Sequence, residues 1–210
     1  MKNVMKTILG LAVSAMMLFA FVGCGGPAET PADQAAAALD TTLSALKSAD
    51  MEAIKNLGGG EEVFGEAEDA IGSEENMEAV LKIMFGHFDY TMGTPEQVDD
   101  SNVNVPVTVS NANMSKAVET WFSDLMAYAM SNPDIANDEA ALQSKTIELL
   151  DSSVNKVAEE EDGILTEDVV IPMTLVDGQW TISENVDNGV LDAILGGFIG
   201  AIEGLTGGLE

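Results

Sequence analysis

The sequence predicts an α+β fold, with N-terminal helices packed on a curved antiparallel sheet. Three observations predict it. Apolar residues recur every three or four positions between 36 and 84 and again between 114 and 157. They alternate with polar residues over 87–92, 103–109 and 168–182. Finally, Asp177-Gly178, the dipeptide that favours a type I′ hairpin, separates the last two alternating runs. Helices followed by antiparallel strands with a helical insertion describe one α+β domain.

The first helix is expected from Pro31 to Ala49. Thr30 is its N-cap, Pro31 its first residue, and Ala36, Leu39, Leu43 and Leu46 its apolar stripe. Asp50 caps a short helix bearing Met51, Ile54 and Leu57, and Gly58-Gly59-Gly60 stops it. Ser73 caps a third helix through Phe85, with Met77, Val80, Leu81 and Met84 inward. In the next run Phe88, Tyr90 and Met92 alternate with His87, Asp89 and Thr91, which predicts a strand. Val103, Val105, Val107 and Val109 predict another, and Pro106 within it implies an edge position or a bulge. Two long helices form an insertion over 113–161. Met114, Val118, Phe122, Leu125 and Ala129 mark the inner face of one, and Leu142, Ile147, Leu150, Val154 and Val157 that of the other. Val169, Ile171, Met173 and Leu175 then alternate up to Asp177-Gly178, and Trp180 and Ile182 alternate on the return.

The C-terminal segment, 187–210, reads as one amphipathic helix. Leu191, Ile194, Leu195, Phe198, Ile199, Ile202 and Leu205 form its stripe, with Gly196, Gly200, Gly204 and Gly208 behind and Asp192 and Glu203 on a flank. Glycine at 196, 197, 200 and 204 costs such a helix roughly 3–4 kcal/mol against alanine. It therefore needs a surface to dock on: its own domain, a partner or lipid. The small-residue spacing suits a partner or self-association face, and the absence of Lys or Arg on the polar side disfavours lipid.

Charge narrows the partners. The chain has 8 basic and 36 acidic residues. Such a surface repels phosphate backbones, so nucleic acid is excluded as a partner. It also repels an anionic bilayer, so electrostatics cannot hold the chain on a membrane. The lone cysteine, Cys24, excludes an internal disulfide and a cysteine-based zinc site.

Residues 1–23 have the form of an export signal: basic Met1–Lys6, then apolar Thr7–Val22, too short to span a bilayer. The segment closes on Phe21-Val22-Gly23-Cys24. This resembles the bacterial lipobox, which usually has Leu where Phe21 stands. The resemblance implies cleavage between Gly23 and Cys24, with a diacylglyceryl thioether and an N-acyl chain on Cys24. Two or more acyl chains suffice for stable anchoring. Residues 24–31 read as a Gly/Pro-rich tether, and Gly25–Asp33 spans at most about 30 Å.

The opening "ALDTTLSALKSADMEAIKNL", the strand "HFDYTMG", the valine-alternating strand and the hairpin "VVIPMTLVDGQWTISEN" resemble small lipoproteins with a nuclear-transport-factor-2-like (cystatin-like) domain. The resemblance covers 32–186 and implies helices in the concave face of a curved sheet, sometimes around a pocket. The insertion at 113–161 departs from that fold's compact form.

Candidate chemistry is sparse. His87 and Asp89 share one side of a strand, and an imidazole beside a carboxylate suits acid–base work. Their apolar neighbours place them toward solvent, so they are weak catalytic candidates. Oxygen ligands crowd at Asp99–Asn102, Asn132–Glu139 and Glu159–Asp162, none in EF-hand spacing, and no metal site is expected. Trp121 and Tyr128 share a helix face and read as core. The expected role is a membrane-anchored, extracytoplasmic, non-enzymatic binding module for a protein or small apolar ligand, with no cofactor beyond the lipid on Cys24. Two alternatives stay open: a hydrolase or isomerase with a pocket in the sheet's concavity, and an envelope component that self-associates through Gly196–Gly208.

Overall fold

The chain enters the fold through a capping box. Thr30 Oγ1 accepts the Asp33 N–H at 3.2 Å, and Asp33 Oδ2 accepts the Thr30 N–H at 3.1 Å. This structure, a computed structural model, describes residues 30–56 and 73–207. The expected signal over 1–23 with Gly23, the expected lipidation site Cys24, the expected tether up to residue 29, Leu57, Gly58–Gly60 and Gly208 lie outside the described residues.

Helix α1 (Pro31–Lys47) buries Leu39, Leu43 and Leu46. Asp50 Oδ1 accepts the Ala53 N–H and starts α2 (Met51–Asn56). Ser73 Oγ accepts the Asn76 N–H and starts α3 (Glu74–Phe85), which buries Met77, Val80, Leu81 and Met84. Each cap is the residue that the sequence predicts.

The five strands are β1 (Asp89–Met92), β2 (Glu96–Gln97), β3 (Asn102–Ala112), β4 (Ile164–Val176) and β5 (Gln179–Ile182). They form one antiparallel sheet in the order β1-β3-β4-β5, with β2 also on β3, curled into a half-barrel. The long ladder runs from Asn102↔Thr174 to Ala112↔Ile164. Val103, Val105, Val107, Val109, Ile171, Met173 and Ile182 face inward and are buried. Helix α1 packs across this face, and α6 (Asn188–Ile194) packs on β3 and β4. Thr108 and Asp168 face outward, which leaves the sheet one solvated side. Asp177 and Gly178 turn β4 into β5 with φ of 52° and 83°, the left-handed pair of a type I′ turn.

Pro106 corrects one expectation: β3 is central, not an edge. The Pro106 carbonyl accepts the Gly93 N–H on the β1–β2 side. A strand residue aims its N–H and C=O the same way, so the missing donor falls where the chain leaves β1 before forming β2.

The insertion is a helical hairpin of α4 (Met114–Ser131), a 3-10 turn (Pro133–Asn137) and α5 (Glu139–Ala158). Beyond α6 the chain forms α7 (Phe198–Gly207), packed on α4. The single C-terminal helix expected from periodicity is thus two helices broken at Leu195–Gly197. Gly196 and Gly197 sit at φ of 61° and 83°, where a helix cannot continue. Both halves turn the same stripe inward, burying Leu191, Ile194, Leu195, Phe198 and Ile202, so a periodic pattern does not reveal the bend. Asp192 Oδ1 accepts the Ile199 and Gly200 N–H groups and caps α7 across the elbow. The described part of the segment docks on its own domain as far as Ile202.

A Cβ on Gly196 would lie 2.1 Å from the Ala112 carbonyl oxygen, on a backbone that already disfavours L residues. Gly196→Ala is expected to destabilise the fold by about 2 kcal/mol or more. Gly204→Ala, where nothing lies within 4 Å, should stabilise it by up to about 1 kcal/mol. Urea midpoints of the two variants, moving in opposite directions, check the elbow.

Candidate functional site

Sequence reasoning pairs His87 with Asp89, and the structure separates them. His87 lies in the turn after α3 rather than in a strand, and its Nε2 meets Asn155 Oδ1 of α5 at 3.1 Å. Asn155 is held in turn by Asp151. Asp89 opens β1 and accepts from Lys47 Nζ of α1 at 2.6 Å. The turn breaks the period-two alternation that would have put the two side chains side by side. The hydrogen bond from Lys47 holds the Asp89 carboxyl below the usual range, helped by the Tyr90 N–H, and Asp89 raises Lys47 reciprocally. Beside them the Tyr90 hydroxyl donates to Asp40 Oδ1 at 2.7 Å and shares a 2.7 Å bond with Ser44 Oγ. Burial raises the Tyr90 phenol. These contacts join α1 to the edge of the sheet.

The acidic clusters serve local structure. The Asp99 carboxylate accepts from the Ser101 N–H and the Asn102 amide, Asp138 caps α5, and Glu160 and Asp162 flank Lys116. Among the described residues no three His, Cys, Asp or Glu side chains converge to hold a metal.

The helical hairpin offers a different kind of site. Its base is rooted in the core through Met114, Ala117, Val118, Leu150, Val154 and Val157. Between Leu125 and Leu150 none of its described side chains is fully buried, so the outer half projects as an arm. There the two helices pack on each other. Trp121 Nε1 donates to the Thr146 carbonyl at 3.0 Å, and Lys145 Nζ lies 5.1 Å from the centre of the Tyr128 ring. Trp121 and Tyr128 are therefore seam residues between the helices.

On the arm's outer side α4 carries Phe122, Met126 and Met130, with 36%, 42% and 78% of their surface exposed. Phe122 was expected in the core. Trp121 takes the inward position instead, and Phe122, about 100° further round, turns out. The recoverable signal was a second apolar stripe at 122, 126 and 130 beside the first. Exposed Glu119 and Asp124 flank it.

The arm also has a direction. Trp180 Nε1 reaches Gln34 near the start of α1, at the β4–β5 end of the sheet. Lys47 near the end of α1 reaches Asp89, which pairs with Ser110, two residues before β3 ends. The arm leaves from that second end, at Ala112 and Ile164. Thr30 and the arm thus lie at opposite ends of a ladder about 35 Å long.

No family model, curated protein or solved structure matches this chain.

The lowered Asp89 carboxyl sets a pH sign. A depressed carboxyl stabilises the fold above its unfolded value, near 3.8, and that contribution disappears as pH falls through the folded value. Asp89→Asn should therefore melt below the parent at pH 7, and the gap should close as pH falls below 3.8 through the folded value. Thermal unfolding of both proteins across that range measures the difference.

Proposed function

We propose that this protein is a lipid-anchored, extracytoplasmic binding module that presents its helical arm to a protein partner. The observation that carries the reading is the exposed Phe122–Met126–Met130 stripe, which runs along α4 into the outer half of the hairpin. Isolated exposed apolar residues are ordinary. Three in register on one helix, on an element that projects from the core, mark an interaction surface.

Anchoring is supported by Phe21-Val22-Gly23-Cys24 and by the short stretch between Cys24 and the capping box at Thr30. Lys2 and Lys6 leave with the signal, so six lysines remain against 36 acidic residues. Covalent lipid, not charge, then holds the protein at the bilayer. With the anchor just before Thr30, the arm stands at the domain's far end from the point of attachment. The nuclear-transport-factor-2-like reading of the fold draws support from helices lying in the concave face of the curled sheet. The hydrolase or isomerase alternative needed His87 and Asp89 to act together, and their separate partners remove that support. Of the Gly196–Gly208 face on which self-association would rest, Gly196 is buried against Ala112, whereas Gly200 and Gly204 are exposed.

Two experiments test the reading. Cys24→Ala should move the protein out of the acylated membrane fraction, and the parent's intact mass should equal the chain from Cys24 plus its acyl groups. A parent mass equal to the unmodified chain overturns anchoring. A photo-crosslinking residue at position 126 should give protein adducts in intact cells, while one at Val170, exposed on the sheet's outer face, should not. Absence of adducts at 126, or equal adducts at both, overturns the arm as the binding surface.

A further inference from the structure

We propose that the partner element received by the arm is a cationic amphipathic helix. This rests on the arm being the binding surface and adds the chemistry of what binds.

Three features of the stripe select that occupant. The first is shape. Phe122, Met126 and Met130 are spaced every four residues over about 12 Å of helix. A partner helix with apolar side chains at i, i+4 and i+7 matches that length and pitch, the mode in which an apolar helix face enters a groove. The second is adaptability. Two of the three contacts are unbranched thioethers, which reshape around different apolar side chains. The third is charge. Residues 113–161 hold three lysines against ten acidic residues. Lys116 pairs with Glu160 and Asp162, and Lys145 with Glu148. Glu119 and Asp124 flank the stripe, and Asp134 and Asp138 stand exposed at the tip.

The same charge removes the other candidates. A second copy would bring another ten carboxylates to face these. An anionic bilayer would meet like charge at the rim of the stripe. A helix with lysine or arginine beside its apolar face meets opposite charge instead, which raises association rate and sets orientation.

The test uses the native protein in phosphatidylcholine nanodiscs, with empty nanodiscs as the blank, or the free chain in buffer if Cys24 proves unmodified. The probe is a synthetic Leu/Lys peptide of about five helical turns with leucines on one face. Controls are the same residues scrambled and a Glu-for-Lys copy. Expected is saturable binding of the amphipathic cationic peptide, weakened by salt. Affinity should fall at least about tenfold for Phe122→Ser/Met126→Ser/Met130→Ser and for Met126→Ser/Met130→Ser. The double variant spares the partly packed Phe122, and both should keep the parent's circular dichroism. Equal affinity for parent and variants, or for ordered and scrambled peptides, overturns the proposal. So does preference for the acidic peptide, stripe-dependent dimerisation in sedimentation, or stripe-dependent binding to phosphatidylglycerol vesicles. Adducts at position 126 together with any of these results would leave the arm a binding surface and reject the cationic helix.

Discussion

A single buried amide ties the layers of this fold together. Asn111, 1% exposed at the end of β3, donates through Nδ2 to the Met84 carbonyl of α3 and the Ile194 carbonyl of α6, both at 3.0 Å. Its Oδ1 accepts the Ala112 N–H. In a low-dielectric interior such a group stabilises only if fully satisfied, and here it holds sheet and two helices in one register. The neighbouring backbone extends the node. The N–H groups of Asn113 and Met114 donate to the carbonyls of Gly163 and Gly196, and Ser115 Oγ donates to the Gly197 carbonyl. The first donors of α4 are thereby spent on the chain that returns from α5 and on the glycine elbow. The arm is rooted where every layer meets, so its base is fixed while its outer half reaches past the core.

Charge acts on this molecule from outside. Of the lysines in the described residues, Lys47, Lys82, Lys116 and Lys145 are ion-paired, all at the surface. Exposed pairs contribute little to stability, because water and salt screen them. Among the described residues the core is apolar, with buried polar groups confined to Thr42, Asn111, Ser153 and Thr181. Acidity therefore decides what can approach, not what folds. On the proposed reading such a surface disfavours nucleic acid, anionic lipid and copies of the chain itself, and leaves the apolar stripe selective for cationic partners.

Elements whose signals are local were legible in the sequence. Thr30, Asp50 and Ser73 cap helices because a short oxygen side chain before an apolar run satisfies orphan N–H groups. The valines of β3 face inward because alternation needs only a half-buried sheet. What stayed hidden depends on partners distant in the chain. Gly196 looks like a helical glycine until Ala112 lies against it. His87 looks like a strand residue until the turn at Gly86 aims it at Asn155. Phe122 looks like core because a helical stripe records apolarity, whereas only the position of α5 decides whether Trp121 or Phe122 faces in. The site was thus barely visible: Phe122 was named, but as core, and Met126 and Met130 were not singled out.

That ambiguity has a physical root which also bears on function. A helix serving only its own core needs one apolar stripe and gains nothing from a second in water. Helix α4 carries two, one against α5 and α7 and one open. The outer half of the hairpin buries no described side chain fully, and the contacts across the hairpin include the Trp121–Thr146 hydrogen bond and Lys145 over the Tyr128 ring. Such an element sits at the low end of local stability. A third helix laid on the open stripe would convert two half-wrapped helices into a packed layer. Each Å² of apolar surface so covered returns about 25 cal/mol. The apolar side chains of the arm therefore weigh little in the free fold and substantially in a bound one. That difference is what the proposed binding role of the arm rests on.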